Sequence, residues 1–255
     1  MKKILLLSFL FVAVVVSLSP AEGSAKAFGK ITLPLGKVEV QQAGSDQWQR
    51  AKPNQTVYEG NVIRTLTRSR CEITLVGGGK VRIGENAELV LTKASVKPME
   101  KNFQANLKKG NIWVSAKAAF GEKKNVSVRT PTAVAAIRGT KYRAQAGEEE
   151  SSVLVYKGKV DVNYAKNVVE ERQEKRKTGA PGGKPQFKLG PVQEVAAPKQ
   201  VAGPYEVTLE EWITLVEGMQ INVRKDGKYN LFKFDQTADA ALDFVKWNKE
   251  LDGEE

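Results

Sequence analysis

The chain has no histidine among its 255 residues and a single cysteine, Cys71. Without histidine there is no Ser-His-Asp or Cys-His relay, and zinc loses its commonest nitrogen ligand. One cysteine cannot close an intramolecular disulfide, so stability must come from a packed core, which a chain of this length can supply as one or two domains. Cys71 falls in Cys71-Glu72-Ile73-Thr74-Leu75, on the face shared by Ile73 and Leu75. It reads as a buried structural thiol rather than a nucleophile. A membrane-spanning run is missing as well. The apolar stretch Ile4 to Leu18 has 15 residues, broken only by Ser8 and Ser17, against the roughly 18–20 that a span needs.

That stretch has Lys2 and Lys3 before it, Pro20 behind it and the small residues of Ala25-Lys26-Ala27 beyond. This is the layout of a secretory signal peptide, with residues 1–27 removed by a cut after Ala27. No cysteine stands near the cut to carry a lipid, so the expectation is an exported protein, periplasmic or extracellular, with no stable membrane span once the signal is gone. The formal charge is +11. The signal region holds Lys2, Lys3, Lys26 and Glu22, a net +2, which leaves +9 on the mature chain. Outside the cytoplasm nucleic acid is not the expected partner. An envelope protein or an anionic envelope polymer is.

From residue 31 to 164 the pattern is short β-strands with Gly-containing turns. Val38 and Val40 alternate with Lys37, Glu39 and Gln41; Val81 and Ile83 alternate with Lys80 and Arg82; Val126 and Val128 alternate with Asn125, Ser127 and Arg129; Val160 and Val162 alternate with Lys159 and Asp161. Period-2 runs put one face in a core and the other in water. The fold class is therefore all-β, a sandwich, a roll or a short solenoid; the pattern does not separate parallel coils from antiparallel sheets. Residues 165–204 change character, with a mixed charge run from Glu170 to Lys177 and five prolines, Pro181, Pro185, Pro191, Pro198 and Pro204. They read as a linker. Residues 205–255 regain order. Trp212 to Val216 and Met219 to Val223 read as strands, Asp226-Gly227 as a tight turn, and Tyr229 to Phe234 as the returning arm of a hairpin. One short helix from Ala238 to Leu251 follows, capped by Thr237, with Ala238, Ala241, Leu242 and Val245 on its apolar face.

Several sites of chemistry can be weighed and set aside. Val76-Gly77-Gly78-Gly79-Lys80 has Thr74 where a phosphate loop needs its first glycine, and Val81 where it needs Ser or Thr; it is a hairpin turn. Gly182-Gly183-Lys184 has Thr178 and Pro185 at those positions and belongs to the linker. Glu148-Glu149-Glu150 lacks the interleaved spacing of a calcium loop, and Glu39 and Asp161 lie on outward faces with no cleft for glycoside hydrolysis. Trp48 and Trp113 read as core anchors rather than a sugar-stacking platform. The chain reads as a non-enzyme, with no catalytic residue, metal or cofactor.

The run Thr130-Pro131-Thr132-Ala133-Val134-Ala135-Ala136-Ile137-Arg138-Gly139-Thr140-Lys141 resembles the signature of the FecR domain. In the same order stand Gly36-Lys37-Val38-Glu39-Val40 as an opening strand, and Tyr58-Glu59-Gly60-Asn61-Val62-Ile63-Arg64-Thr65, with Asn61 where the family commonly has Asp. Gly78 to Ile83, Leu107 to Val114 and Val153 to Val162 complete the resemblance, which covers residues 36–162. It implies a β-rich envelope module that senses or scaffolds. The best-known members also carry a cytoplasmic segment that controls a sigma factor, whereas only Met1 to Lys3 precede the apolar run here. The expectation is a stand-alone protein-interaction, scaffold or signal-sensing module, with a binding module for acidic glycan or peptidoglycan as the alternative. Arg138, Gly139, Thr140 and Lys141 are its candidate interaction or turn residues. In one reading Arg138 and Lys141 present an anion site beside the Gly turn; in the other Thr130-Pro131 opens a strand in which Ala133 to Ile137 pack, Gly139 supplies the turn geometry and Arg138 meets a nearby carboxylate or carbonyl.

Overall fold

The computed structural model describes residues 25–116, 123–138, 140–165 and 212–253. The signal-like stretch up to residue 24, Gly139, and nearly all of the linker lie outside them. Among the described residues seventeen strands form one continuous hydrogen-bonded sheet, folded over into two facing layers. The first layer runs, in spatial order, β4 (Thr56–Tyr58), β1 (Ala27–Leu35), β6 (Arg70–Leu75), β7 (Lys80–Ile83), the C-terminal part of β9 (Glu100–Ser115), β12 (Lys141–Ala146), β13 (Glu150–Lys157), β16 (Met219–Arg224) and β17 (Tyr229–Lys233). The second runs β3 (Trp48–Arg50), β2 (Val38–Gln41), β5 (Val62–Thr65), β8 (Glu88–Lys97), the N-terminal part of β9, β10 (Lys123–Arg129), β11 (Ala133–Arg138), β14 (Lys159–Tyr164) and β15 (Ile213–Val216). Among the described residues every pairing is antiparallel except β9 with β10, so the alternation belongs to antiparallel sheets and not to a parallel coil.

The long strand β9 joins the layers. Glu100 to Lys109 pair with β8 in the second layer, while the residues after Gly110 pair with β7 and β12 in the first. The bend falls at Gly110, whose φ is +90°. A Cβ there would come within 2.4 Å of the Ala87 side chain, so glycine is required twice over, by backbone and by space. Between the layers lie the inward members of each alternation: Ile31, Ile73 and Ile83 from one side, Ile63, Leu89, Leu91 and Leu107 from the other, all 2% exposed or less. Phe28 meets Phe103 edge-on across the layers, with ring centroids 5.3 Å apart. Each such side chain stabilises the fold by about 1.5–3 kcal/mol through removal of its surface from water. Cys71 is buried among them, its thiol pushed up to about 12 by burial and then by the charge of Glu72.

The terminal hairpin forms where its sequence places it. β16 and β17 turn at Asp226-Gly227, with Gly227 at φ +85° and the Asp226 carboxylate accepting from the Lys228 amide. It does not stand apart: β15 and β16 extend the two layers by pairing with β14 and β13. Three expectations need correction. The first strand, β1, starts at Ala27, ahead of the expected opening strand at Val38, because Ala27 to Leu35 pair with β4 and β6. Thr130 to Thr132 form the turn before β11 rather than opening it: the Thr130 hydroxyl donates to the Ala133 carbonyl and accepts from the Ala133 amide. The single terminal helix is two, α1 (Gln236–Ala240) and α2 (Asp243–Asp252), because the chain is extended at Leu242; the cap of the first is Asp235 rather than Thr237, its carboxylate accepting from the amides of Thr237 and Ala238.

Candidate functional site

The outward face of the first layer carries the chemistry. Strand register sets Glu72, Arg82, Trp113 and Arg143 side by side on β6, β7, β9 and β12, and Lys80, Ser115 and Lys141 in the adjoining row. In an antiparallel sheet such neighbours share a face with Cβ atoms about 4.5–5.5 Å apart. Period-2 alternation puts all of them outward, towards water. The structure departs from that reading, because α1 and α2 lie over this face. Arg82 is fully buried, Lys141 and Arg143 nearly so, and Trp113 is wholly covered.

The buried charges are paired. Glu72 accepts from Arg82 Nε at 2.7 Å, from Lys80 Nζ at 3.1 Å and from the Thr32 hydroxyl at 2.7 Å. Burial alone would raise the Glu72 carboxyl, but the hydrogen bonds from Arg82, Thr32 and Lys80 outweigh it and hold it below its ordinary value. From the last turn of α2, Asp252 accepts from Arg82 Nη1 at 2.7 Å and from the Trp113 indole at 3.3 Å, and Lys141 Nζ lies 3.1 Å away. Asp252 is likewise lowered: burial opposes, and Arg82 and Lys141 prevail. Arg82 Nη1 also donates to the main-chain carbonyl of Asn248 at 3.2 Å, placing a cation at the negative end of the helix. A second cluster lies under α1, where Asp239 accepts from Arg143 and, at 2.6 Å, from the Tyr156 hydroxyl. Burial, with Asp239 beside it, raises the Tyr156 phenol. The Tyr156 and Trp113 rings, 4.3 Å apart, make an aromatic floor between the clusters. At the start of α2, Asp243 pairs with Arg70, whose guanidinium also lies over Trp247.

Of the four residues singled out from the signature run, Gly139 lies outside the described residues, and Arg138 is described through its backbone pairing with Asn125. The Thr140 hydroxyl donates to the Lys159 carbonyl at 2.8 Å and is buried. Lys141 is buried beside Asp252, an anion from this same chain. The turns of the signature are tied from within: the Thr132 hydroxyl donates to the Val223 carbonyl at 2.8 Å, and the Asn61 carboxamide accepts from the Tyr58 amide at 3.0 Å. Trp48, expected in the core, is half-buried on the short strand β3 beneath Arg64, whose guanidinium stands 3.9 Å from the ring. Residues that sequence reasoning missed are Glu72, Arg82, Arg143, Asp239 and Asp252. One signal pointed to them: Trp113 falls in the outward register between Ile112 and Val114, and a tryptophan there implies a cover.

Residues 61–161 match the family described as FecR protein. The matched family is one of envelope-associated regulatory proteins. Two crystal structures of a "putative anti-sigma factor" from Parabacteroides distasonis are similar to the chain at 17% and 16% identity, both with a TM-score of 0.44. The similarity covers 70% of this chain and 63% or 62% of theirs, so the chain spans less than two thirds of their length. No curated protein matches the sequence. Among the described residues no helix is long and apolar enough to cross a membrane.

Proposed function

We propose that this is an exported, non-catalytic envelope protein whose FecR-like sheets serve as a protein-interaction, scaffold or signal-sensing module. The observation that carries this reading is the unpaired margin of the two layers. β15 and β17 each pair on one side only among the described residues. Around them Trp212, Val216, Leu231 and Phe232 are 54%, 47%, 43% and 41% exposed. A free strand edge with apolar side chains offers main-chain hydrogen bonds for affinity and side-chain pockets for selectivity. The buried carboxylates speak against acid–base catalysis, since Glu72 and Asp252 are paired and held ionised, far from a proton-exchanging role near neutral pH. Export is supported by the charge and hydropathy pattern of residues 1–27. A cut before Lys26 suits the fold better than one after Ala27, because the Lys26 carbonyl accepts from the Glu59 amide at 2.9 Å.

The test uses residues 26–255 as bait in a bacterial envelope extract washed with rising salt, beside a Leu231→Lys, Phe232→Lys variant. One protein retained at high salt by the wild type and lost by the variant is the expected result. Glycan or lipid that elutes as salt rises, equally from both, contradicts the reading.

A further inference from the structure

We propose that the recess on the outward face of the first layer is a receptor site for an acidic helix of a partner protein, with α1 and α2 as a resident competitor that can be displaced. This site is separate from the strand margin. Part of the recess is tied within the sheet itself: Glu72, on β6, pairs with Arg82 and Lys80, a partner that does not come from the helices. What the helices bring is mostly charge. Residues 235–255 contain seven carboxylate side chains against two lysines, a net −5, while the rest of the chain carries +16, for the total of +11. Only Val245 among their apolar side chains is fully buried; the other buried contacts are Asp239 and Asn248, with Asp252 at the margin, while Leu242 and Leu251 remain 47% and 41% exposed.

The fit of the resident helices is incomplete in two ways. Among the described residues Arg82 Nη2 and Arg143 Nε are buried without a hydrogen-bond partner, and a buried donor left unmatched is unfavourable. Beside the last turn of α2 a cleft of about 240 Å³ stays open between Lys80, Ser115, Lys141 and Leu251. A segment with one fully buried apolar side chain and two unmatched donors beneath it is held by the ion pairs of Asp239, Asp243 and Asp252 together with its tether, which supplies an effective concentration on the order of millimolar. A free helix with carboxylates at the same positions, further acceptors for the two guanidinium groups and apolar side chains for the cleft would take its place.

The probe is a fluorescein-labelled synthetic peptide of residues 235–255, titrated by anisotropy against the full chain and against the full chain carrying Asp239→Asn and Asp252→Asn. The isosteric amides keep the shape of the resident helices and remove the charges that hold them. The expected result is roughly tenfold or tighter binding to the variant than to the wild type, weakened by salt and abolished by a further Arg143→Gln. A folded variant that fails to bind the peptide, or binds it equally after Arg143→Gln, overturns the proposal; so does equal binding of polyglutamate or hyaluronate, which would make the recess a general anion site. If the variant does not fold, hydrogen exchange of the wild type decides: amides of α1 and α2 that open separately from the sheet and lose protection under excess peptide support displacement, and amides that open only with the whole sheet contradict it.

Discussion

Two regions of this protein are equally dry and built from opposite materials. Between the layers, Ile73, Ile83, Leu89, Leu91 and Leu107 exclude water with methyl groups. On the back of the first layer, Glu72, Arg82, Lys141, Arg143, Asp239 and Asp252 are nearly as buried and are charged. The apolar region is non-directional, so its stability follows the area covered and hardly depends on pH or salt. The ionic region is directional and balanced: each charge gives up hydration that only its partner repays. A lost methyl group between the layers leaves a cavity whose cost follows its size; a missing partner in the recess strands a charge.

The comparison is broken most severely at the partner of two carboxylates. Arg82→Ala leaves Glu72 and Asp252 without their shared guanidinium and is expected to cost about 3–5 kcal/mol, read from denaturant unfolding. Leu107→Ala opens a cavity between the layers at about 2–5 kcal/mol. The two are told apart by salt, which should change the apparent cost of the first and not of the second. Gly110→Ala, which forces a Cβ onto Ala87 at a positive φ, should cost on the order of 1–3 kcal/mol in backbone strain alone, and is read as a fall in Tm.

The pH dependence is smaller and one-sided. Glu72 and Asp252 lie below their ordinary values of 4.5 and 3.8 when folded. Groups lowered by folding add stability that is complete above those ordinary values and is lost as pH falls through the folded ones. The hold on α2 should thus be flat from neutral pH down to about pH 5 and weaken in more acid solution, visible as rising exposure of Trp113 fluorescence before the sheet unfolds. The mildest expected effect is at Cys71: with its thiol buried and raised to about 12, native protein should resist alkylation, and modification should follow global unfolding.

How legible these regions were in the sequence follows from the same contrast. Alternation at Val38, Val81, Val126 and Val160 reveals the inner face of each strand, because period 2 is a local property. The hairpin was legible at Asp226-Gly227 for the same reason. The recess was not. Arg82 and Asp252 are 170 positions apart, and nothing local to β7 says that its outward face is covered. The helix pattern misled as well: Ala238, Ala241, Leu242 and Val245 suggested an apolar docking face, whereas only Val245 is deeply buried and Asp239, Asn248 and Asp252 make the contact. The break at Leu242 turns α1 and α2 so that polar side chains meet a charged sheet, a match that depends on both surfaces together. β1 was partly hidden for another reason, since its first residues share their small, apolar character with the end of a signal peptide.

The central claim is that α1 and α2 are held on the sheet by ions and part from it as a unit. Native-state hydrogen exchange of the full chain tests it most directly, with wild type set beside Asp239→Asn, Asp252→Asn. The account predicts that amides of 236–252 lose protection in the variant by roughly tenfold or more while those of β9 and β12 keep theirs. Equal loss in helices and sheet, or none in either, would contradict it.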